Sequence, residues 1–71
     1  MNLPTMTPVA SSNIYSVGYE NGDLYVNFNN GTVYRYFRVP HVVYSSLMSA
    51  PSHGRFLNAY IRNVYRYQRI R

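Results

Sequence analysis

Arginine and tyrosine alternate in two nearly identical segments of this chain, and these residue types could bind nucleic acid. Residues 33–38 read VYRYFR and residues 64–69 read VYRYQR. A guanidinium group binds phosphate through paired hydrogen bonds and stacks on bases, and a tyrosine ring offers a second stacking surface. The same residues also suit a β-strand, because tyrosine favours extended backbone. Each segment therefore has two interpretations, a nucleic-acid contact or a strand of a small sheet.

The charge distribution favours an anionic partner. All seven basic residues are arginine, the only acidic residues are Glu20 and Asp23, and the net charge is +5. Residues 1–33 carry −2 and residues 34–71 carry +7. Such an imbalance costs self-repulsion and is typical of a domain with a negatively charged partner. The alternative is that arginine serves only as a solubilising charge.

The arginines yield a set of candidate nucleic-acid-binding residues. Basic side chains would follow a phosphate backbone, while an exposed tyrosine stacks on a base. The set is Arg38, Arg55, Arg62, Arg66 and Arg69 for phosphate contacts, with Tyr65 and Tyr67 for stacking. The alternative is a solvated terminal strand whose tyrosines pack inward.

A candidate anion site lies in the SHGR segment, residues 52–55. Serine is a preferred helix N-cap, and the free N–H groups of a helix start attract anions. Gly54 would permit close approach and Arg55 would add a bidentate contact. Ser52, His53, Gly54 and Arg55 therefore form a candidate anion site, with ordinary helix capping as the alternative.

Catalysis and metal binding find little support in the composition. The chain has no cysteine and no lysine, and we expect Glu20 and Asp23 to be solvated beside a turn. His41 and His53 would need further ligands to hold a metal ion, and acid–base catalysis needs a titratable group positioned in a pocket. We expect no enzyme activity, no cofactor, no metal and no small-molecule substrate.

The length of 71 residues predicts one domain with a thin core. Residues 1–10 contain two prolines and no periodic pattern, which predicts a mobile N-terminal tail before a domain over 11–71. The sequence shows neither a signal peptide nor an apolar run of about 20 residues. We therefore expect a cytoplasmic protein that does not enter a membrane.

Two turn signals predict an antiparallel meander. Asn21-Gly22 joins strands over 13–20 and 24–29, and the expected pairs are Tyr19 with Leu24, Val17 with Val26, and Tyr15 with Phe28. At residues 29–31 a three-residue loop is favoured over a two-residue loop. The longer loop turns Tyr34 and Tyr36 toward the apolar face and keeps Arg35 out of it.

Prolines delimit two helices after this meander. Pro40 opens a helix over 41–50, with Val43, Tyr44, Leu47 and Met48 as its buried stripe, and Pro51 ends it. Ser52 caps a helix over 53–63. Its sheet-facing residues are expected to be Phe56, Leu57, Tyr60, Ile61 and Val64, and its outward residues Arg55, Asn58 and Arg62.

Residues 64–70 either continue the second helix or form a short terminal strand, and their β-forming composition favours the extended state. The predicted fold is therefore α+β. It consists of a three-stranded antiparallel meander followed by two short helices packed on one face, with this short C-terminal strand as the favoured ending.

The chain resembles the KTSC domain family over about residues 9–71. Matching residues include Val17-Gly18-Tyr19, Gly31 with Tyr34-x-Tyr36, Val39-Pro40, and Ser52-x-Gly54-x-Phe56-x-Asn58-x-x-Ile61-Arg62. Family members are small stand-alone bacterial and phage proteins or C-terminal extensions of some lysyl-tRNA synthetases. The resemblance implies a compact α+β fold and a proposed role in RNA binding, with no catalytic residue to carry over.

Two functions fit these observations. The first is a nucleic-acid-binding accessory domain, for RNA rather than DNA, without sequence-specific readout. The second is a protein-interaction module that pairs through a strand edge or a tyrosine-rich face. A continuous stripe of arginine on the surface would favour the first, and scattered arginines around a flat apolar patch the second.

Overall fold

A computed structural model describes residues 3–71, which form a five-stranded antiparallel sheet with two helices. The elements are β1 (Met6–Pro8), β2 (Ile14–Glu20), β3 (Asp23–Phe28), β4 (Val33–Tyr36), α1 (His41–Ser49), α2 (His53–Tyr60) and β5 (Tyr67–Arg69). The strands lie in the sheet in their chain order. The α+β class is confirmed, and so is the C-terminal strand. The three-stranded meander is an undercount, because the sheet also gains a strand at its other edge.

The additional strand, β1, comes from the segment expected to be a mobile tail. Met6 pairs with Gly18 and Pro8 with Ser16. An edge strand tolerates proline, so Pro8 does not prevent pairing. Residues 6–8 of the expected tail therefore belong to the sheet, whereas the prediction for residues 1 and 2 lies outside the described residues.

The β2–β3 hairpin has the predicted two-residue turn. Asn21 and Gly22 both have positive φ angles, 53° and 83°, as this kind of turn requires. Tyr19 pairs with Leu24 and Val17 with Val26, as expected. The predicted pairing of Tyr15 with Phe28 is wrong. The register shifts between Ile14 and Ser16, so Ile14 pairs with Phe28, and the side chain of Tyr15 is 59% exposed.

The β3–β4 hairpin has the predicted three-residue loop. The Phe28 N–H donates to the Thr32 carbonyl at 2.8 Å, and Gly31 has a φ of 90°. Tyr36 consequently pairs with Leu24, and Tyr34 with Val26. Both tyrosines therefore share the apolar face of the sheet.

The helices pack on this apolar face. The core that joins them to the sheet contains Ile14, Val17, Leu24, Val26, Tyr36, Val39, Leu47, Leu57 and Ile61. Ala50 is extended before Pro51, which ends α1 as predicted. α2 ends at Tyr60 rather than at residue 63, because the chain turns there to bring β5 back to the sheet. Tyr60 and Val64 were expected to face the sheet but are 60% and 64% exposed.

Candidate nucleic-acid interface

The terminal strand β5 brings a tyrosine and an arginine beside the two tyrosines of β4. Tyr67 pairs with Tyr36, and Arg69 pairs with Tyr34. Paired residues of antiparallel strands share one face, so all four side chains lie on the helix side of the sheet. The rings of Tyr34 and Tyr67 stack with centroids 5.4 Å apart and planes 15° apart. Tyr67 is 57% exposed and Tyr65 is not among the exposed residues, so Tyr67 is the one of the two candidate stacking residues whose ring is accessible.

A groove of about 420 Å³ runs between this face of the sheet and α2. Three aromatic residues, Phe28, Tyr34 and Tyr36, lie on its sheet side, and Gly54 and Leu57 lie on its helix side. Its polar lining consists of Ser12, Asn13, Asn29, Asn30, Thr32, Asn58 and Arg62. An aromatic surface next to amides and one guanidinium group is suited to a planar polar ligand.

Arg62 connects the groove to a second depression. This open depression, of about 450 Å³, is lined by Arg62, Asn63, Val64, Tyr65, Arg66 and Tyr67. The Arg62 Nη1 donates to Asn58 Oδ1, four residues earlier in the chain, at 3.3 Å. The structure thus brings Arg62 and Arg66 together with both predicted stacking residues. Tyr65 differs from Tyr67, however, because it is half-buried and packs against the core.

Of the remaining predicted arginines, only Arg69 lies on the same face of the sheet as this centre. Arg69 is two residues along β5 from Tyr67 and lies opposite Tyr34. Arg38 follows β4 with a φ of 54°, and the neighbouring Phe37 N–H donates to the Arg66 carbonyl at 2.8 Å. Arg55 lies in the first turn of α2 and lines neither the groove nor the β5 depression.

Arg35, in the first VYRYFR segment, has a structural role. Its Nε and Nη2 both donate to Asp23 Oδ2, at 2.9 and 2.6 Å, and its guanidinium lies 4.9 Å from the Phe37 ring centroid. This hydrogen bonding to Asp23 raises the pKa of Arg35. Asp23 is therefore not solvated as expected, and is only 8% exposed. It also accepts the Arg38 N–H through Oδ1 at 3.1 Å.

The predicted anion site has the geometry of a helix cap. Ser52 Oγ accepts the Arg55 N–H at 3.3 Å, as an N-cap does. The His53 Nδ1–H donates to the Leu47 carbonyl at 2.8 Å and so ties α2 to α1. Ser52, His53, Gly54 and Arg55 do share a depression of about 410 Å³. Capping accounts for the hydrogen bond of Ser52, and anion binding here stays a prediction.

Burial and charge act in opposite directions on Tyr36 at the base of the groove. Burial raises the pKa of Tyr36, nearby Arg62 lowers it, and the hydroxyls of Tyr34 and Tyr67 raise it, for a net increase. Tyr36 is thus a neutral hydroxyl at physiological pH. Its pKa also responds to the charge of Arg62, which places these two groups in one electrostatic environment.

Sequence reasoning missed most residues of the groove. The sequence places Asn13, Asn29 and Asn30 at turns and strand ends, and Asn58 at an outward position of α2. Their convergence depends on the sheet register and on how α2 packs, and neither follows from spacing. Within residues 3–71 no group of three or more His, Cys, Asp or Glu could hold a metal ion, and neither helix is long and apolar enough to cross a bilayer.

The chain is similar to small bacterial proteins along most of their length. It is 38% identical over 63 residues to a protein of Tsukamurella paurometabola, covering 86% of this chain and 94% of that one. A crystal structure of a KTSC domain protein from Yersinia pestis superposes with a TM-score of 0.88 at 36% identity, covering 94% of this chain and 97% of the other.

The chain is also similar to a segment of a much larger enzyme. It is 36% identical over 47 residues to a lysine–tRNA ligase of Trichormus variabilis, covering 66% of this chain and 8% of the ligase. A ligase of Nostoc punctiforme matches at 32% over 56 residues, covering 79% of this chain and 10% of the ligase. The family model of the KTSC domain matches residues 10–65. This match and the likeness of the folds show that the chain belongs to the KTSC domain family.

Proposed function

We propose that this protein binds RNA as an accessory domain, without sequence-specific readout. One observation carries this proposal. The exposed ring of Tyr67 stacks on Tyr34, and Arg62 and Arg66 line the depression beside Tyr67. Stacking on tyrosine tolerates any base, and arginine binds any phosphate. Arg69 lies next to this pair on the same face of the sheet.

The electrostatics of the chain support an anionic ligand at this surface. Glu20 and Asp23 are the only acidic residues of the sequence, and both precede residue 24. Arg35 neutralises Asp23 through their ion pair. Among residues 3–71 the structure shows no salt bridge to Arg62, Arg66 or Arg69, so no carboxylate side chain competes with a phosphate for them.

RNA is favoured over DNA by the kind of relative that carries this domain. The ligases similar to this chain are named for charging tRNA with lysine, so a domain of this family is attached to an enzyme that handles RNA. Single-stranded regions of RNA present unstacked bases that aromatic side chains can bind. An appended domain with an exposed Tyr67 and nearby arginines fits contact with such regions.

NMR titration of the labelled chain with single-stranded RNA, at low and at moderate salt, tests the proposal. We expect shifts at Arg62, Arg66, Tyr67 and Arg69 that weaken steeply with salt. The double variant Arg66→Ala/Arg69→Ala should lose most of the binding. The variant Arg38→Ala/Arg55→Ala has the same net charge and should lose less. Absence of shifts even at low salt would reject RNA binding.

A protein-interaction module is the second candidate function. It is favoured by Tyr60 and Val64, which are 60% and 64% exposed, and by Phe56, whose ring lies 4.8 Å from that of Tyr60. Exposed apolar side chains that lie together are typical of a protein contact. If RNA does not bind, the region to test against protein partners is Phe56 and Tyr60 of α2 together with Val64 after it.

A further inference from the structure

We propose that the groove between α2 and the sheet is a pocket for one unpaired nucleobase, which makes the domain select single-stranded over double-stranded RNA. This inference rests on the proposed RNA binding and adds the part of the RNA that the groove recognises. Arginines alone would bind the backbone of both forms of RNA. The groove would separate them, because a base in a duplex has its faces stacked and its edge paired.

The aromatic side of the groove provides a surface for a planar ring. Phe28 and Tyr34 are packed edge to face, with centroids 5.6 Å apart and planes 76° apart. Both are half-buried, so part of each ring still faces the groove, whereas Tyr36 is 1% exposed and forms a closed base. A volume of about 420 Å³ lies within the range of small-molecule pockets. A nucleobase therefore fits against these rings.

The helix side of the groove is open at a glycine. Gly54, Leu57 and Asn58 line it from successive turns of α2. A Cβ atom at Gly54 would have Asn13 Nδ2 as its neighbour at 3.5 Å, an ordinary contact distance. The backbone of Gly54 is thus not needed for close packing. Its missing side chain instead widens the groove between α2 and Asn13.

Amide groups along the rim offer both acceptors and donors. Asn29 Nδ2 donates to the Ser12 carbonyl at 2.8 Å, which leaves its Oδ1 as an acceptor. Asn30 Oδ1 accepts the Thr32 hydroxyl at 2.7 Å, and Asn58 Oδ1 accepts from Arg62 at 3.3 Å. Their Nδ2 groups are left as donors. The edge of a nucleobase carries donors and acceptors that match such a rim.

Arg62 relates the pocket to the backbone-binding surface. It lines both the groove and the depression that contains Arg66 and Tyr67. A base in the groove would therefore have its phosphate near Arg62 and the next nucleotide near Tyr67. Duplex RNA cannot follow this path without extruding a base, which costs unpairing and unstacking.

Binding of a short single-stranded RNA and of its duplex to the full chain tests the proposal. We expect the single strand to bind about tenfold more tightly, which is what stacking one base contributes. Intermolecular NOEs should join base protons to the Leu57 methyl groups and to the Phe28 ring. The variant Gly54→Leu, which fills the groove, should weaken the single strand more than the duplex and so lose that preference.

Two further variants keep the result interpretable. Asn58→Leu removes a rim amide and should weaken the single strand more than the duplex, and Ala59→Leu is the matched control at an exposed position of α2 outside the groove. Suppose that both RNA forms bind equally, that Gly54→Leu changes neither affinity, and that Arg66→Ala/Arg69→Ala weakens both. The base pocket would then be overturned, whereas the proposal that the protein binds RNA would stand. If neither RNA binds at low salt, RNA binding and the pocket both fail.

Discussion

Arg35 and Arg66 occupy equivalent places in the two VYRYxR segments, and their surroundings give them different roles. Arg35 forms the ion pair with Asp23, the only salt bridge among residues 3–71. Arg66 is exposed and lines the depression beside Tyr67. The arginine without a carboxylate is the one able to bind phosphate, since an ion pair already satisfies the other.

This difference predicts that the same substitution affects stability at Arg35 and RNA binding at Arg66. Arg35→Gln should lower the denaturant midpoint of unfolding, because it leaves the nearly buried Asp23 without its charge partner. Arg66→Gln should leave that midpoint unchanged and reduce the salt dependence of RNA affinity, by about 0.7 in the log–log slope. Urea titrations and binding isotherms on both variants measure this. Similar RNA defects in the two variants would contradict it.

Tyr36 predicts a pH dependence at alkaline pH. Its pKa is raised above the ordinary value of 10.0 because burial disfavours the phenolate. The unfolded chain then loses the proton more readily than the folded chain. The stability contributed by Tyr36 is therefore complete below pH 10 and is lost as the pH rises through the folded pKa. In urea unfolding, Tyr36→Phe should flatten the decline in unfolding free energy between the pKa of Tyr36 in the unfolded chain and its pKa in the folded chain.

A substitution at Arg62 tests the environment of Tyr36, because the charge of Arg62 lowers the pKa of Tyr36. Arg62→Gln should shift the last phenol ionisation, followed by ultraviolet absorbance, to still higher pH. Arg55→Gln removes the same charge from the first turn of α2 and is the matched control. A shift in Arg55→Gln as large as that in Arg62→Gln would show that net charge, rather than proximity, controls Tyr36.

At the scale of elements, turn chemistry made the two hairpins predictable. Positive φ at Gly22 and Gly31 is what a two-residue turn and a three-residue loop require, and those turns fix which residues of β2, β3 and β4 pair. The bulge at Tyr15 and the strand β1 were not predictable. Neither has a local sequence signal, and β1 is held by pairing with β2 rather than by its own propensity.

The close packing of Gly18 against the segment that contains β1 predicts the effect of a side chain at this position. An added Cβ would lie 2.6 Å from Met6 Sδ and 3.0 Å from the Thr5 carbonyl oxygen, which is backbone. Gly18→Ala should therefore displace β1 and destabilise the protein by about 1–3 kcal/mol. Faster amide exchange at Met6 and Thr7 would report the displacement. Gly54→Ala, whose nearest neighbour is at 3.5 Å, should show neither effect. Unchanged exchange in Gly18→Ala would mean that β1 adjusts at little cost.

At the scale of the whole molecule, the sequence indicated which residues share the depression near β5, but not the groove beside it. Arg62, Arg66 and Tyr67 are close in sequence, so their shared surface was predictable. The groove was not, because it joins the start of β2, the β3–β4 loop and α2, which are distant along the chain. Asn13 and Asn58 lie 45 positions apart in the numbering and meet only through the packing of α2 on the sheet.

The charge of the second half of the chain predicts the ionic-strength dependence of RNA binding as a whole. Arg62, Arg66, Arg69 and Arg71 lie within the last ten residues and have no acidic residue among them. If these arginines displace counterions from single-stranded RNA, the slope of log affinity against log salt should be about −3, from about 0.7 per phosphate. Fluorescence anisotropy of a labelled RNA across a salt series measures this slope.

The charge-matched variants locate the origin of the slope. Arg66→Ala/Arg69→Ala should bring it to about −1.5, since two of the four contacts are removed. Arg38→Ala/Arg55→Ala should leave it closer to that of the unaltered chain, because neither residue lines the depression around Tyr67. Equal slopes in both double variants would mean that RNA affinity depends on the net charge of +5 over the whole surface rather than on Arg66 and Arg69 in particular. The structure predicts unequal slopes, because it places Tyr67 and Arg69 on one face of one edge strand.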